Sequence, residues 1–198
     1  MKKTLTMMLL AMLCFAASAQ KKDKGDQHVE FRYHGFYSVV DYALMKTVST
    51  LDDIESPLFH SINVVAGFQW RPESAVGFGF SYLHDASGAF SQIPMYVEYR
   101  THYLRGRVAP FTTARVGFSV PVGSGSSGEH YAKINLGGLT FGARLGVRYA
   151  FTRSSGANIF AGYQMLQLNQ VERGTNGQCE TIGAELFHTI QAGLGFNF

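Results

Sequence analysis

Hydrophobic and polar residues alternate with period two along most of the chain. The clearest stretch is 138–151: Leu139, Phe141, Ala143, Leu145, Val147, Tyr149 and Phe151 fall on one face, and Gly138, Thr140, Gly142, Arg144, Gly146 and Arg148 on the other. A helix would mix these two sets, so the pattern predicts a β-strand with one apolar and one polar face. Seven further stretches share the pattern, giving eight predicted strands at 29–42, 59–70, 75–85, 91–104, 110–120, 136–151, 158–170 and 182–198. Most match or exceed the roughly 9–11 residues that a tilted strand needs to cross a bilayer, whereas soluble strands average about 5–6.

The connections alternate as well. Those at 43–58, 86–90, 121–135 and 171–181 are mostly long and polar, the five-residue 86–90 being the exception, while 71–74, 105–109 and 152–157 are short. Long loops at one end and tight turns at the other are the habit of membrane barrels.

A soluble barrel also alternates, and the polar face separates the two readings. A face turned to water normally carries lysine, yet the seven lysines (Lys2, Lys3, Lys21, Lys22, Lys24, Lys46, Lys133) all fall outside the predicted strands. The polar face holds Gly, Ser, Thr and Gln with charges of both signs: Glu30, Arg32, Glu98, Arg100, Arg115, Arg144, Arg148 and Glu185. Small residues with mutually satisfying ions suit a crowded barrel interior, so Glu98, Arg100, Arg115, Arg144, Arg148 and Glu185 are predicted to form an interior charge network. The greasy face then meets lipid. Aromatic residues near the strand ends fit two interfacial belts, with Trp70, Tyr149, Phe151, Phe196 and Phe198 toward the short turns and Tyr42, Phe59, Tyr82 and Phe90 toward the long loops.

Composition sharpens the picture. Of 198 residues, 46% are hydrophobic, 14% aromatic and only 16% charged, below the roughly 25% charged content of soluble domains. Residues 1–19 read as a secretory signal, with Lys2 and Lys3, an apolar run and Ala17-Ser18-Ala19 as cleavage site. Residues 20–28 form a polar tail, and 29–198 the barrel. Removing Lys2 and Lys3 shrinks a net charge of only +3, which excludes nucleic acid as a partner class. One cysteine, Cys179, remains beyond the signal, so neither an internal disulfide nor a cysteine-type metal site is expected, and no cofactor is.

The last eight residues, Gln191-Ala192-Gly193-Leu194-Gly195-Phe196-Asn197-Phe198, resemble the C-terminal assembly signal of outer-membrane barrels, with Gln191, Gly193, Phe196 and Phe198 at the matching positions. Over 29–198 the chain is similar to the small eight-stranded outer-membrane barrels of the OmpA and OmpX type. The resemblance implies an all-β, closed, antiparallel transmembrane barrel with a plugged polar interior, inserted by the barrel assembly machinery as a monomer. It also implies both termini in the periplasm and contact with outer-membrane lipids including lipopolysaccharide.

Catalysis has one candidate. His84 and Ser87 with Glu98 loosely resemble the His-x-Ser plus Glu arrangement of outer-membrane lipid A deacylases, but two residues separate His84 from Ser87, which breaks their same-face relation. Parity also puts His84 on the lipid side and Glu98 inside. Of the other histidines, His28 is in the tail, His60 and His130 are expected at loops, His34 and His102 inside, and His188 at the outer rim; none has zinc spacing. The Gly/Ser run in 121–135 lacks the Lys and helix of a phosphate-binding loop. The expected function is a non-catalytic structural or surface-interaction role. Lipid A modification, and binding or limited permeation of a small ligand, are the alternatives.

Overall fold

The computed structural model describes residues 34–48, 58–71, 73–86, 91–104, 106–122, 132–173 and 179–198. The predicted signal, the predicted tail and the predicted interior residues Glu30 and Arg32 lie outside them. Nine strands form in chain order: β1 Gly35–Thr47, β2 Leu58–Gln69, β3 Ser74–Asp85, β4 Ser91–His102, β5 Val108–Pro121, β6 Ala132–Leu136, β7 Leu139–Ala150, β8 Gly156–Arg173 and β9 Cys179–Asn197.

Neighbouring walls pair antiparallel in the order β8, β7, β5, β4, β3, β2, β1, β9, and β9 pairs back onto β8, so the sheet closes. β6 and β7 both pair with β8 and form one wall, making eight walls in all. Between Leu136 and Thr140 this wall advances four residues while β8 advances three, from Asn169 to Leu166, which is a one-residue bulge. The break falls at Gly137, where a Cβ would sit 1.7 Å from the Ser119 carbonyl oxygen of β5, a distance that only glycine avoids.

Among the described residues closure gives each of the eight walls a paired neighbour on both sides, as hydrocarbon requires because it offers no hydrogen-bond partner. The seam between first and last strands runs from Val39 opposite Asn197 to Thr47 opposite Thr189. Beyond it the Ser38 and Phe198 backbones exchange two further bonds of 3.0 and 2.8 Å.

Side chains divide by parity as the sequence predicts. Tyr42, Leu44, Ile62, Phe78, Phe80, Val97, Val116, Phe141, Leu145, Ile159, Leu194 and Phe196 are exposed on the outer wall. The inner positions of the same strands carry Asp41, Asn63, Ser81, Glu98, Thr113, Arg144 and Asn158, all buried. Aromatic pairs mark the turn end of the wall: Phe36 against Phe68 at 5.4 Å, Trp70 against Tyr99 at 6.3 Å, and Tyr149 against Phe151 at 5.6 Å.

Several boundaries differ from the sequence expectation. β1 runs to Thr47, five residues past the predicted end, because alternation continues through Ala43, Met45 and Thr47 inside and Leu44 and Lys46 outside. β6 occupies part of the predicted 121–135 loop, and β8 and β9 extend into 171–181 with a register shift at Gln170/Val171. Lys46 and Lys133 consequently sit on strands, which corrects the expectation that strands carry no lysine. Both are close to the loop end, and Lys46 is exposed there, where a long side chain can carry its ammonium into the headgroup region.

Candidate functional site

The most elaborate chemistry in the molecule is inside the barrel, and period two builds it. Glu98 and Arg100 are successive inward positions of β4, and Glu98 is the register partner of Arg115 on β5. Arg100 Nε donates to Glu98 Oε1 at 2.9 Å, and Arg115 Nε donates to Glu98 Oε2 at 2.6 Å. Each guanidinium adds its Nη2 to the same oxygen, at 2.9 and 2.5 Å. One fully buried carboxylate thus holds two arginines. Only pairing of this quality offsets the cost of taking three charges out of water.

A second carboxylate extends the network across the lumen. Arg144 Nη1 on β7 donates to Asp41 Oδ2 on β1 at 3.2 Å, and Arg115 Nη2 approaches the same oxygen at 3.6 Å. Asn63 Oδ1 on β2 accepts from Arg144 Nη2 at 3.3 Å, Arg115 Nη1 at 3.4 Å and Ser81 Oγ of β3 at 2.5 Å. Toward the turns, Arg100 Nη1 donates to Asn197 Oδ1 of β9 at 3.4 Å, and Asn158 Nδ2 of β8 donates to that oxygen at 3.0 Å. Every wall of the barrel contributes at least one side chain.

Four buried guanidiniums face two buried carboxylates among the described residues. Aromatic faces take part of that excess: Arg115 lies 4.5 Å from the Tyr96 centroid, Arg144 4.3 Å from Phe160 and Arg100 4.9 Å from Phe111. On the loop side of the ions an apolar cluster of Met45, Phe59, Leu83 and Leu166, backed by Phe187, fills the lumen.

The structure therefore brings Glu98, Arg100 and Arg115 together, with Arg144 joined through Asp41 and Asn63. Arg148 is buried nearer the turns, its Nη1 3.2 Å from His102 Nε2. Glu185 is on β9 opposite Leu168, and its side chain is outside the described residues. Asp41 and Asn63 are absent from the sequence reading. The signal for Asp41 was its parity with Tyr37 and Val39 within the predicted 29–42 strand, which is opposite to that of Glu30 and Arg32.

Of the C-terminal residues, Gln191 is buried inside and Phe196 exposed outside. Gly193 faces Ala43 across the seam, where a Cβ would meet the Tyr42 carbonyl oxygen at 2.3 Å.

The histidines divide differently from expectation in two cases. His34 is exposed, not interior, because it precedes β1, and His60 is on β2 instead of in a loop. His102 is buried. His84 shares the outward parity of Phe80 and Tyr82, and its Nδ1 lies 2.9 Å from Ser91 Oγ; Ser87 is outside the described residues. Glu98, on the opposite face of the sheet, is bound to Arg100 and Arg115. No cluster of metal-ligating side chains occurs among the described residues.

No family model matches the chain, and no curated protein sequence does. Solved structures do. Neisserial surface protein A (NspA) superposes with a TM-score of 0.58 at 18% identity, covering 82% of this chain and 96% of NspA. The outer membrane protein OprG from Pseudomonas aeruginosa gives 0.56 at 10% identity, with 86% and 99% covered. Outer membrane protein AlkL, determined in lipid bilayers, gives 0.55 at 12%, with 90% and 96% covered. These likenesses concern the fold. The chain is a closed eight-stranded antiparallel barrel with the architecture of the small outer-membrane β-barrels.

Proposed function

We propose that this protein is a monomeric outer-membrane barrel with a structural or surface-interaction role, non-catalytic, with both termini periplasmic and the loops facing outward. The observation that carries the reading is the filled lumen: an ion network reaching every wall, under an apolar cap of Met45, Phe59, Leu83 and Leu166. Eight strands enclose little more space than their own side chains occupy, whereas aqueous porins need about 16. With the interior committed to holding itself together, the loops and the outer wall are the surfaces left to meet partners.

The lipid A deacylase alternative asks one base to be oriented by Glu98, but that carboxylate and His84 are on opposite faces of the sheet. A base and its orienting group need hydrogen-bond contact. Lipid A mass is therefore expected to stay unchanged on expression.

Fractionation of expressing cells, with gel mobility compared before and after boiling, tests the reading. A heat-modifiable band in the outer membrane, and labelling on intact cells of a cysteine placed between Pro121 and Ala132, are the expected results. Recovery in the soluble periplasmic fraction would overturn it.

A further inference from the structure

The outer wall carries a band of imidazoles that neither the lumen nor the fold requires. His60 is the register partner of Leu44 on one side and of His84 on the other, and His84 is the partner of Ser91. His188 accepts the Val48 backbone N–H through its carbonyl at 2.7 Å, which sets it beside the loop end of β1, where Lys46 is exposed. All four side chains point away from the lumen on β9, β1, β2 and β3, which are consecutive walls.

They also share a height. A row square to the strands climbs from Thr112 on β5, near the turns, through Leu145, Ala161, Ala192, Leu44, His60 and His84 to Ser91 at the loop end. That climb reflects strand tilt. His188 lies four positions loopward of Ala192 on its strand, and Lys46 two loopward of Leu44, which offsets the climb. With a tilt of about 40°, the four groups fall within about 4 Å of one another in height.

Each imidazole is held the same way. His60 Nδ1 is 2.6 Å from Tyr42 Oη, His84 Nδ1 is 2.9 Å from Ser91 Oγ beneath a stacked Tyr82, and His188 Nδ1 bonds Tyr163 Oη. When the hydroxyl donates to Nδ1, the proton of the neutral ring is on Nε2, which makes Nε2 the donor of each ring. Immediately turnward lies exposed hydrocarbon surface: Leu44, Ile62, Phe80, Ile190 and Leu194. Three imidazoles that can donate through Nε2 and an ammonium above an acyl-chain seat suit an anionic headgroup on a lipid.

We propose that His60, His84, His188 and Lys46 form a docking row for the phosphate groups of lipid A in the outer leaflet. The inference rests on the loop-outward orientation proposed above. Span and charge both suit it: three inter-strand gaps are about 14 Å, wide enough for more than one phosphate.

The test uses refolded full barrel in detergent, with bisphosphorylated lipid A and the same lipid with its phosphates removed, bound lipid being counted by native mass spectrometry. Wild type is expected to prefer the phosphorylated form by about tenfold or more, or about 1.4 kcal/mol. The combined variant H60F/H84F/H188F/K46M keeps the aromatic belt and loses the donors, so the preference should fall to near one. H60R/H188R, which puts cationic donors at two of the same positions, should retain it. Equal binding of the two lipids by wild type, or an undiminished preference in the fourfold variant while it remains heat-modifiable, would overturn the proposal. Because micelles have no sidedness, a wrong orientation shows instead in the labelling experiment on cells and leaves this binding result unaffected.

Discussion

Arg144 and Asp41, 103 residues apart in sequence, meet across the lumen with Nη1 3.2 Å from Oδ2. The contact ties β7 to β1 through the middle of the barrel, where neither charge has water as an alternative. Removing one partner of such a pair leaves the other buried and uncompensated, at a cost of about 3–5 kcal/mol. Asp41→Ala should lower the urea midpoint for unfolding from micelles accordingly. The apolar double replacement D41L/R144M should recover most of the loss. A single variant as stable as wild type would show that the pair contributes nothing.

Glu98 supports two arginines at once, and its loss should be felt at both. Glu98→Gln removes the charge while keeping the shape, so Arg100 and Arg115 become uncompensated together; the expected destabilisation is again at least about 3 kcal/mol. The triple variant E98A/R100A/R115A has no ion left unpaired by this step and empties the middle of the lumen. Wild type should be silent in planar bilayers, and the triple variant should give small conductance steps. Steps of equal size from both proteins would refute the plug.

Gly195 leaves the space that Asp41 fills: a Cβ there would lie 1.9 Å from Asp41 Oδ1. Gly195→Ala should push the carboxylate off Arg144 and cost about 1–3 kcal/mol, the range for overpacked sites. In the Asp41→Ala background the closest contact is gone and only the Val40 carbonyl oxygen, 2.8 Å from the added Cβ, still resists it, so part of the cost should vanish and a double-mutant cycle should report coupling between the two positions. Simple additivity would place the strain elsewhere.

Phe198 completes the seam through its two backbone bonds with Ser38. Its deletion should reduce the heat-modifiable fraction in outer membranes, both because closure loses its last rung and because the C-terminus resembles an assembly signal. Normal levels of folded barrel after the deletion would weaken the assembly role without touching the fold.

Much of this molecule is readable along the chain because a strand's side-chain period is a local property. Leu139 to Ala150 is the plainest example: the row containing Arg144 and Arg148 is inside and the row containing Leu145 and Val147 outside, as alternation alone requires. The turn at 152–155 is equally local, with the Thr152 hydroxyl accepting from the N–H groups of Ser154 and Ser155.

What alternation does not carry is length and partnership. The residues after Tyr42 read as loop because Lys46 and the acidic stretch beyond it dilute the pattern, while Asp41, inside the predicted 29–42 strand, is out of parity with Glu30 and Arg32 and so reads as apart from the interior charges. The position of Asn63 as shared acceptor for arginines of β5 and β7, the bulge at Gly137, and the line of His188, Lys46, His60 and His84 around the rim all depend on register between walls. By itself the sequence determined which face of each strand is greasy, since that is written two residues at a time. Only the closed sheet decided which inward charges meet and which outward groups stand level, because both depend on tilt and stagger summed around eight walls.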